Sequence, residues 1–149
     1  MKITSLSPAG INLIKSFEGY SSTPYLDSVN IPTIGYGTIR YPSGTRVTMS
    51  DPAITEEQAI DFLHHDAHSA ELTVDALCRD DISQNQFDAL VSFAYNCGNN
   101  ALKTSTLLKR VNARSGDIRA AFLMWNKADG KVIKGLTNRR NKEADLYLS

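Results

Sequence analysis

The segment Phe17–Thr38, with the sequence FEGYSSTPYLDSVNIPTIGYGT, decides how the beginning of the chain folds. A glycine directly follows Glu18, and Asp27 and Thr33 come nine and fifteen residues after this glutamate. Apolar and aromatic residues surround all three. Two interpretations are open: an ordinary helix end followed by an ordinary hairpin, or a cleft in which two carboxylates and a hydroxyl carry out catalysis.

The composition is typical of a soluble globular protein. Of the 149 residues, 42% are hydrophobic and 21% are charged, which allows a real core and argues against disorder. The length fits one domain or two small lobes. The net charge is zero, but residues 1–100 hold 5 basic and 12 acidic side chains, whereas residues 101–149 hold 11 and 4. The basic part either meets an anionic polymer, attracts the acidic part or is simply solvated.

The N-terminal sequence, MKITSLSPAGINLIKSFEG, has no apolar signal-peptide core and no small-residue cleavage site. No run of the chain approaches the roughly 20 apolar residues of a membrane span. We therefore expect the protein to be made and left in a cytosol, unless something else exports it. Cys78 and Cys97 fit free thiols in a reducing compartment, although a disulfide between them stays open.

The first part of the chain predicts a helix followed by a small sheet. Ser7-Pro8 is typical of a helix N-terminus, and Gly19 is a plausible end. Residues 20–50 are rich in Ser, Thr, Tyr, Pro and Gly. They contain three β-prone pieces, namely Tyr25–Asp27, Thr33–Ile39 and Arg46–Met49. Turns at Asn30 and Ser43-Gly44 predict an antiparallel sheet of two or three strands.

After residue 55 the pattern is helical. Thr55 with Gln58 and Ser83 with Gln86 form capping boxes. The first opens a long helix over about residues 56–78, and the second opens a helix that is apolar on most sides, which is typical of a bundle centre. Shorter helices are predicted at about 105–113, 117–127 and 136–147.

The expected architecture is α+β and mostly helical, a single domain over residues 1–149. One lobe, residues 12–55, carries the sheet, and residues 80–149 with 1–11 form a helical lobe. Helix 56–78 would exceed ~30 Å, long enough to join two lobes. A cleft between such lobes is a usual place for a ligand.

Glycoside cleavage requires a proton donor for the leaving oxygen and a second group at the anomeric carbon. Glu18 closes an apolar helix face beside Phe17, a setting that suits a proton donor, whereas Asp27 lies among polar residues. A turn at Asn30 would bring Thr33 close to Asp27, where the two can hold a water molecule. Helix-end glutamates and turn aspartates are also common as solvated residues, so these residues alone leave both interpretations open.

The same residues resemble the active-site signature of the phage-type lysozymes, glycoside hydrolase family 24. The resemblance rests on Glu18-Gly19, Tyr25, Asp27 and TIGYGT (33–38), with matching spacing. Later segments follow in the family's order, namely QFDALVSFAYNCG (86–98), STLLKRVN (105–112), GDIRAAFLMWN (116–126) and GLTNRR (135–140). One departure is Thr38, where some relatives carry histidine, and it puts a local histidine–carboxylate ion pair in doubt.

The resemblance implies a lysozyme-like fold and an endolysin that hydrolyses the β-1,4 bond between N-acetylmuramic acid and N-acetylglucosamine in peptidoglycan. It implies that Glu18 is the general acid and that Asp27 and Thr33 position the attacking water, with inversion. Sugar contacts carried over from the family fall on Ile39, Tyr95, Asn96 and Thr106, with Ser105 a close rival to Thr106. The glycines at 35 and 37 let sugar and backbone approach closely, or only kink the sheet.

The resemblance also implies how such a protein works. It needs no cofactor and no metal, acts as a monomer, and has no nucleic-acid partner and no membrane anchor. It waits in the host cytoplasm until a pore-forming holin gives it access to the cell wall.

Other interpretations of the sequence are weaker. His64 and His68 have the spacing of metal ligands, but HHDAH is not H-E-x-x-H and His65 is the only further histidine. A solvated helix face is therefore favoured over a zinc site. A lytic transglycosylase would cut the same bond with one acid, and a wall-binding module would keep the fold without catalysis. Asp27 and Thr33 argue for hydrolysis.

Three further side chains are expected to be structural. Trp125 ends an apolar helix and is expected in the core rather than under a sugar. Arg139 and Arg140 are expected to make structural contacts rather than to bind stem-peptide carboxylates.

Overall fold

The computed structural model describes residues 2–149. Its elements follow in the order α1 (Pro8–Glu18), β1 (Ser21–Leu26), β2 (Pro32–Gly35), α2 (Glu56–Leu77), α3 (Gln84–Cys97), α4 (Asn99–Thr104), α5 (Thr106–Ala113), α6 (Ile118–Leu123), β3 (Lys127–Ala128), β4 (Lys131–Val132) and α7 (Lys134–Leu148). The prediction of a mostly helical α+β fold with a small antiparallel sheet is confirmed.

The chain divides into two compact units. One is the segment Ile14–His68, and the other is the chain up to Leu13 together with Ser69–Ser149. The division falls inside α2, between His68 and Ser69.

The unit Ile14–His68 carries the sheet of β1 and β2. The two strands are antiparallel, with Tyr25 opposite Thr33. The prediction of a strand through Ile39 was wrong beyond Gly35. Gly35 and Gly37 have φ values of 65° and 90°, a left-handed conformation that turns the chain. The predicted strand Arg46–Met49 was also wrong, because only a single bridge pairs Arg46 with Arg40.

The other unit is built around α3. All residues from Phe87 to Ala94 are buried, as predicted for a central helix. The core around it includes Leu102, Leu107 and Phe122, each fully buried. Trp125 is partly buried and packs edge-on against Phe93 with ring centroids 5.7 Å apart, so it lies against the core, close to its predicted place.

The two adjacent arginines of α7 are buried as well. Arg140 is 0% exposed and its Nε lies 2.7 Å from Oε1 of the equally buried Glu143. Its Nη2 donates to Oδ1 of Asn96 at 2.8 Å, and its guanidinium lies over the Phe93 ring. Arg139 is 6% exposed and also approaches Glu143. The predicted structural role of both arginines is confirmed.

Local signals correctly predicted where helices α2 and α3 begin. Thr55 and Gln58 exchange the hydrogen bonds of a capping box at the start of α2, and Ser83 and Gln86 do so at α3. The sequence did not predict α4 or the hairpin of β3 and β4, whose two-residue turn has left-handed Asp129.

Two remaining features concern the thiols and the membrane. Cys78 and Cys97 are both free, as expected. Within residues 2–149, no helix combines the length and apolar character that crossing a bilayer requires.

Candidate active site

Glu18 is the last residue of α1 and is partly buried. The helix ends there because Gly19 adopts φ 62°, a left-handed conformation that favours glycine. The carboxylate reaches the turn after β2. A Cβ atom built on Gly37 would lie 3.2 Å from Oε2 of Glu18. The bare backbone at residue 37 therefore leaves the room that this carboxylate occupies.

Asp27 directly follows β1 and is fixed by the turn that it opens. Its Oδ1 accepts hydrogen bonds from the backbone N–H groups of Val29 at 2.8 Å and Ile31 at 2.9 Å. Asn30 completes the turn with φ 63°, a conformation that asparagine tolerates better than most residues. Within residues 2–149, no donor reaches the second oxygen, Oδ2, so it can accept a hydrogen bond from a bound water.

Thr33 lies on β2 and is 3% exposed. Its hydroxyl donates to the backbone carbonyl of Ile31 at 2.8 Å. The same carbonyl accepts the N–H of Asp27 at 3.1 Å. With its proton committed to Ile31, the Thr33 oxygen offers lone pairs for a water. Asp27 and Thr33 are thus held through one residue, as the predicted turn at Asn30 requires.

Tyr25 links the two carboxylates. It stands opposite Thr33 in the sheet. Its pKa is raised above the usual tyrosine value, first by burial and then by the negative charges of Glu18 and Asp27. The charges of both Glu18 and Asp27 therefore act on one phenol.

Thr38 occupies the position where some relatives carry histidine. It is fully buried, and its hydroxyl donates to Oδ2 of Asp66 on α2 at 2.8 Å. Burial raises the pKa of Asp66, and the bond from Thr38 and the charge of His65 oppose this. Residue 38 therefore meets a carboxylate through a neutral hydroxyl and forms no histidine–carboxylate ion pair.

The predicted sugar contacts lie in both units. Ile39 is in the unit Ile14–His68 and is 45% exposed. Tyr95, Asn96 and Thr106 lie in the other unit, on α3 and at the first turn of α5. Ser105 is less suited to a sugar, because it is 2% exposed and its hydroxyl caps α5 by accepting from Leu108 and donates to Leu102.

The three histidines lie exposed on α2. Among the residues that the structure describes, no group of three or more His, Cys, Asp or Glu side chains has the geometry of a metal site.

The arrangement defines a class of site. A carboxyl group at a helix end and a second carboxylate at the start of a hairpin turn lie in the same unit, and a pair of carboxyl groups is what most glycoside hydrolases require. The chain belongs to the phage lysozyme family: the sequence model described as "Phage lysozyme" matches residues 15–143.

Individual relatives agree with this assignment. The chain is 46% identical over 148 residues to an endolysin of Bacillus phage B103, covering 97% of this chain and 54% of the relative. It is 39% identical over 145 residues to the endolysin of Salmonella phage P22, covering 97% and 98%. The solved endolysin of Escherichia coli O157:H7 phage FAHEc1 has a TM-score of 0.91 at 42% identity, covering 100% of this chain and 97% of that one. The chain spans about half the length of the two Bacillus phage relatives that it matches, B103 and PZA, at 54% and 55%.

The sequence did not predict the hydrogen bonds that backbone groups make in the candidate site. The central role of Ile31 comes from its N–H and carbonyl groups, which no side-chain pattern encodes. Tyr25 belonged to the recognised signature but received no role. Its place two residues before Asp27 on a predicted strand was the available signal.

The raised pKa of Asp66 gives a prediction for stability against pH. The folded protein holds this proton at higher pH than the unfolded chain, so the free energy of unfolding falls as pH rises from the ordinary aspartate pKa through the raised one. Asp66→Asn removes this pH-dependent contribution to the free energy of unfolding. We expect urea unfolding to show the variant gaining stability relative to wild type as pH rises from 3 to 7.

Asp61→Asn is the control, since Asp61 lies exposed on the same helix. Its difference from wild type should not follow the same pH course. A difference between Asp66→Asn and wild type that is constant from pH 3 to 7 would contradict the prediction.

Proposed function

We propose that this chain is a muramidase that hydrolyses the β-1,4 bond between N-acetylmuramic acid and N-acetylglucosamine in bacterial peptidoglycan. The observation that carries the proposal is the joint attachment of Asp27 and Thr33 to Ile31, beside Tyr25, whose pKa is raised by burial and by the charges of Glu18 and Asp27. Family membership supports it, since relatives over the full chain are called endolysins and P22 lysozyme.

Each residue has a defined task in the proposed reaction. Glu18 donates its proton to the glycosidic oxygen, so the bond from that oxygen to the muramyl C1 breaks. A water that donates hydrogen bonds to Asp27 Oδ2 and Thr33 Oγ1 attacks C1 from the opposite face, and Asp27 receives the water proton. The new C1–OH bond then has the α configuration. Glu18 and Asp27 would stand ~6.5–9.5 Å apart, the spacing that leaves room for this water.

Sugar binding is proposed for four further residues. Ile39 offers an exposed apolar side chain. Asn96 has its Oδ1 occupied by Arg140, which turns its amide N–H group to the outside for a sugar oxygen. Tyr95 and Thr106 complete the set by resemblance to the family.

The biological setting is proposed from the same resemblance. The protein would work as a monomer, be made in the host cytoplasm, and act on the cell wall after a holin has opened the way. Lysis of the host is the consequence of cutting the glycan strands.

Replacing Glu18 by Gln tests the proposed acid. Glutamine keeps the size and polarity but cannot donate a proton at neutral pH, so we expect Glu18→Gln to lose ~100-fold or more of the hydrolysis rate. The measurement is loss of turbidity of a purified peptidoglycan suspension together with the appearance of reducing ends. Wall pelleting should show that the variant still binds. Persistent lysis would contradict the role of Glu18, and unimpaired lysis with no new reducing ends would contradict glycan hydrolysis.

Gly37→Ala tests whether the room around Glu18 matters. The added Cβ would meet Oε2 of Glu18 at 3.2 Å and displace the carboxylate, so we expect the rate of reducing-end release to fall ~10-fold or more. Gly44→Ala is a matched control. Gly44 has nearly the same φ, 92° against 90°, but nothing lies within 4 Å of its Cβ position.

Both substitutions carry a similar backbone strain of ~1 kcal/mol or more, and thermal unfolding should show a loss of stability in both. Only Gly37→Ala should lose activity beyond what its unfolded fraction explains. Equal activity in the two variants would contradict the proposed packing of Glu18 against residue 37.

A further inference from the structure

A pocket of about 370 Å³ lies in the unit that contains Ser69–Ser149. This volume is within the range of pockets that hold small ligands. None of the residues proposed for catalysis or for sugar binding lines it. Its polar lining includes the side chains of Arg79, Asp81, Gln86, Arg110, Arg114 and Tyr147.

The charges that line the pocket are not balanced. Asp81 is the only carboxylate of the lining in the part of the chain that the structure describes. It accepts from Arg79 at 2.6 and 3.1 Å and also from Arg114. Arg110 donates only to a backbone carbonyl, that of Asp117, at 2.7 Å. Three guanidinium groups and one carboxylate leave the lining with an excess of two positive charges.

Arg110 and Gln86 offer N–H groups to the pocket. Arg110 lies against Gly116, where an added Cβ would come within 2.8 Å of its Cδ, so the bare glycine backbone leaves room for this side chain. Its bond to the Asp117 carbonyl commits one of the five guanidinium N–H groups. The amide oxygen of Gln86 accepts the Ser83 N–H at 2.9 Å, so its NH₂ group is left to donate.

The hydroxyl of Tyr147 is a further donor. The side chain is only 8% exposed, and among residues 2–149 no group is hydrogen-bonded to its hydroxyl. Burial raises the pKa of Tyr147, Cys78 adds to this, and the charges of Arg114 and Arg79 act in the opposite direction. The hydroxyl therefore stays protonated at neutral pH and feels both guanidinium groups. A polar group that is buried without a partner costs free energy, which a ligand with an acceptor oxygen would recover.

We propose that this pocket binds a phosphate group through Arg110, Arg114 and the hydroxyl of Tyr147, with the Gln86 amide as a further donor. The groups left available are guanidinium, amide and phenol donors, so together they select an anion. A phosphate presents more acceptor oxygens than a carboxylate, and the planar guanidinium of arginine matches its geometry. Inorganic phosphate and the phosphodiester of an anionic wall polymer both supply this chemistry.

The experiment is an NMR titration of the full chain with inorganic phosphate at constant ionic strength, with chloride as the compensating salt. The signals to follow are the backbone N–H groups of Ser115 and Gly116, which line the pocket, and the side-chain Nε–H of Arg110. We expect saturable shifts that give a Kd, and chloride alone should not produce them.

Two variants test the assigned contacts. Tyr147→Phe removes a hydroxyl that has no partner among the described residues and keeps the ring that packs against Phe122, so the fold should be unaffected. Arg110→Gln removes a charge and most of the free donors. Each should raise the Kd for phosphate by about tenfold, the factor for losing one hydrogen bond to a charged group.

Lys109→Gln is the matched control. Lys109 is the exposed neighbour of Arg110 on α5 and does not line the pocket. It carries the same charge, so a general attraction of anions to this basic part of the chain would respond to both substitutions. We expect the Kd of Lys109→Gln to stay within about twofold of wild type, because exposed charges are screened by salt.

A second titration, with a synthetic oligomer of glycerol phosphate, distinguishes the two sources. If the oligomer shifts the same signals and its Kd responds to Arg110→Gln and Tyr147→Phe, the site accepts the phosphodiester of a polymer. If only inorganic phosphate does so, the site accepts the free ion. The proposal is overturned if neither ligand gives saturable shifts, or if the pocket variants raise the Kd no more than Lys109→Gln does. These titrations need no turnover, so their result is independent of the proposed muramidase function.

Discussion

The backbone of Ile31 is the constraint on which the candidate site depends. Its N–H holds Oδ1 of Asp27, and its carbonyl accepts both the Asp27 N–H and the Thr33 hydroxyl. One residue thus fixes both the carboxylate and the hydroxyl that hold the proposed water. Preorganised acceptors need no reorganisation when the water attacks, which is how such sites lower a barrier.

The proposed general acid, Glu18, is positioned in a different way. Glu18 ends a helix, and its carboxylate fits against a residue without a side chain, Gly37. The chemistry of the sequence alone left two interpretations open for the segment from Phe17 to Thr38, a solvated turn or a catalytic cleft. Side-chain identities and spacing singled out Glu18, Asp27 and Thr33 as candidates, but the contacts that join Asp27 to Thr33 run through backbone atoms of Ile31 and become visible only in three dimensions.

The fold was likewise predictable where side chains determine it and not where the backbone conformation does. The start of α2 was set by the side chains of Thr55 and Gln58, and the structure begins the helix at Glu56. Local sequence signals did not predict element ends that depend on the backbone conformation. The strand after Thr33 ends at Gly35, because glycines with positive φ turn the chain before Ile39. Helix α4 is six residues long and has no side-chain cap, so little in its sequence marks it.

The central claim is that Asp27 and Thr33 direct a water, and not a protein oxygen, at the anomeric carbon. Proton NMR of muropeptides during the first minutes of digestion of purified peptidoglycan measures this directly, because the anomeric signal of fresh ends shows the configuration before mutarotation. The account predicts α ends from the β-linked strand. Predominantly β ends would indicate a covalent intermediate, and 1,6-anhydromuramyl ends in the mass spectrum would indicate a transglycosylase; either result would contradict the account.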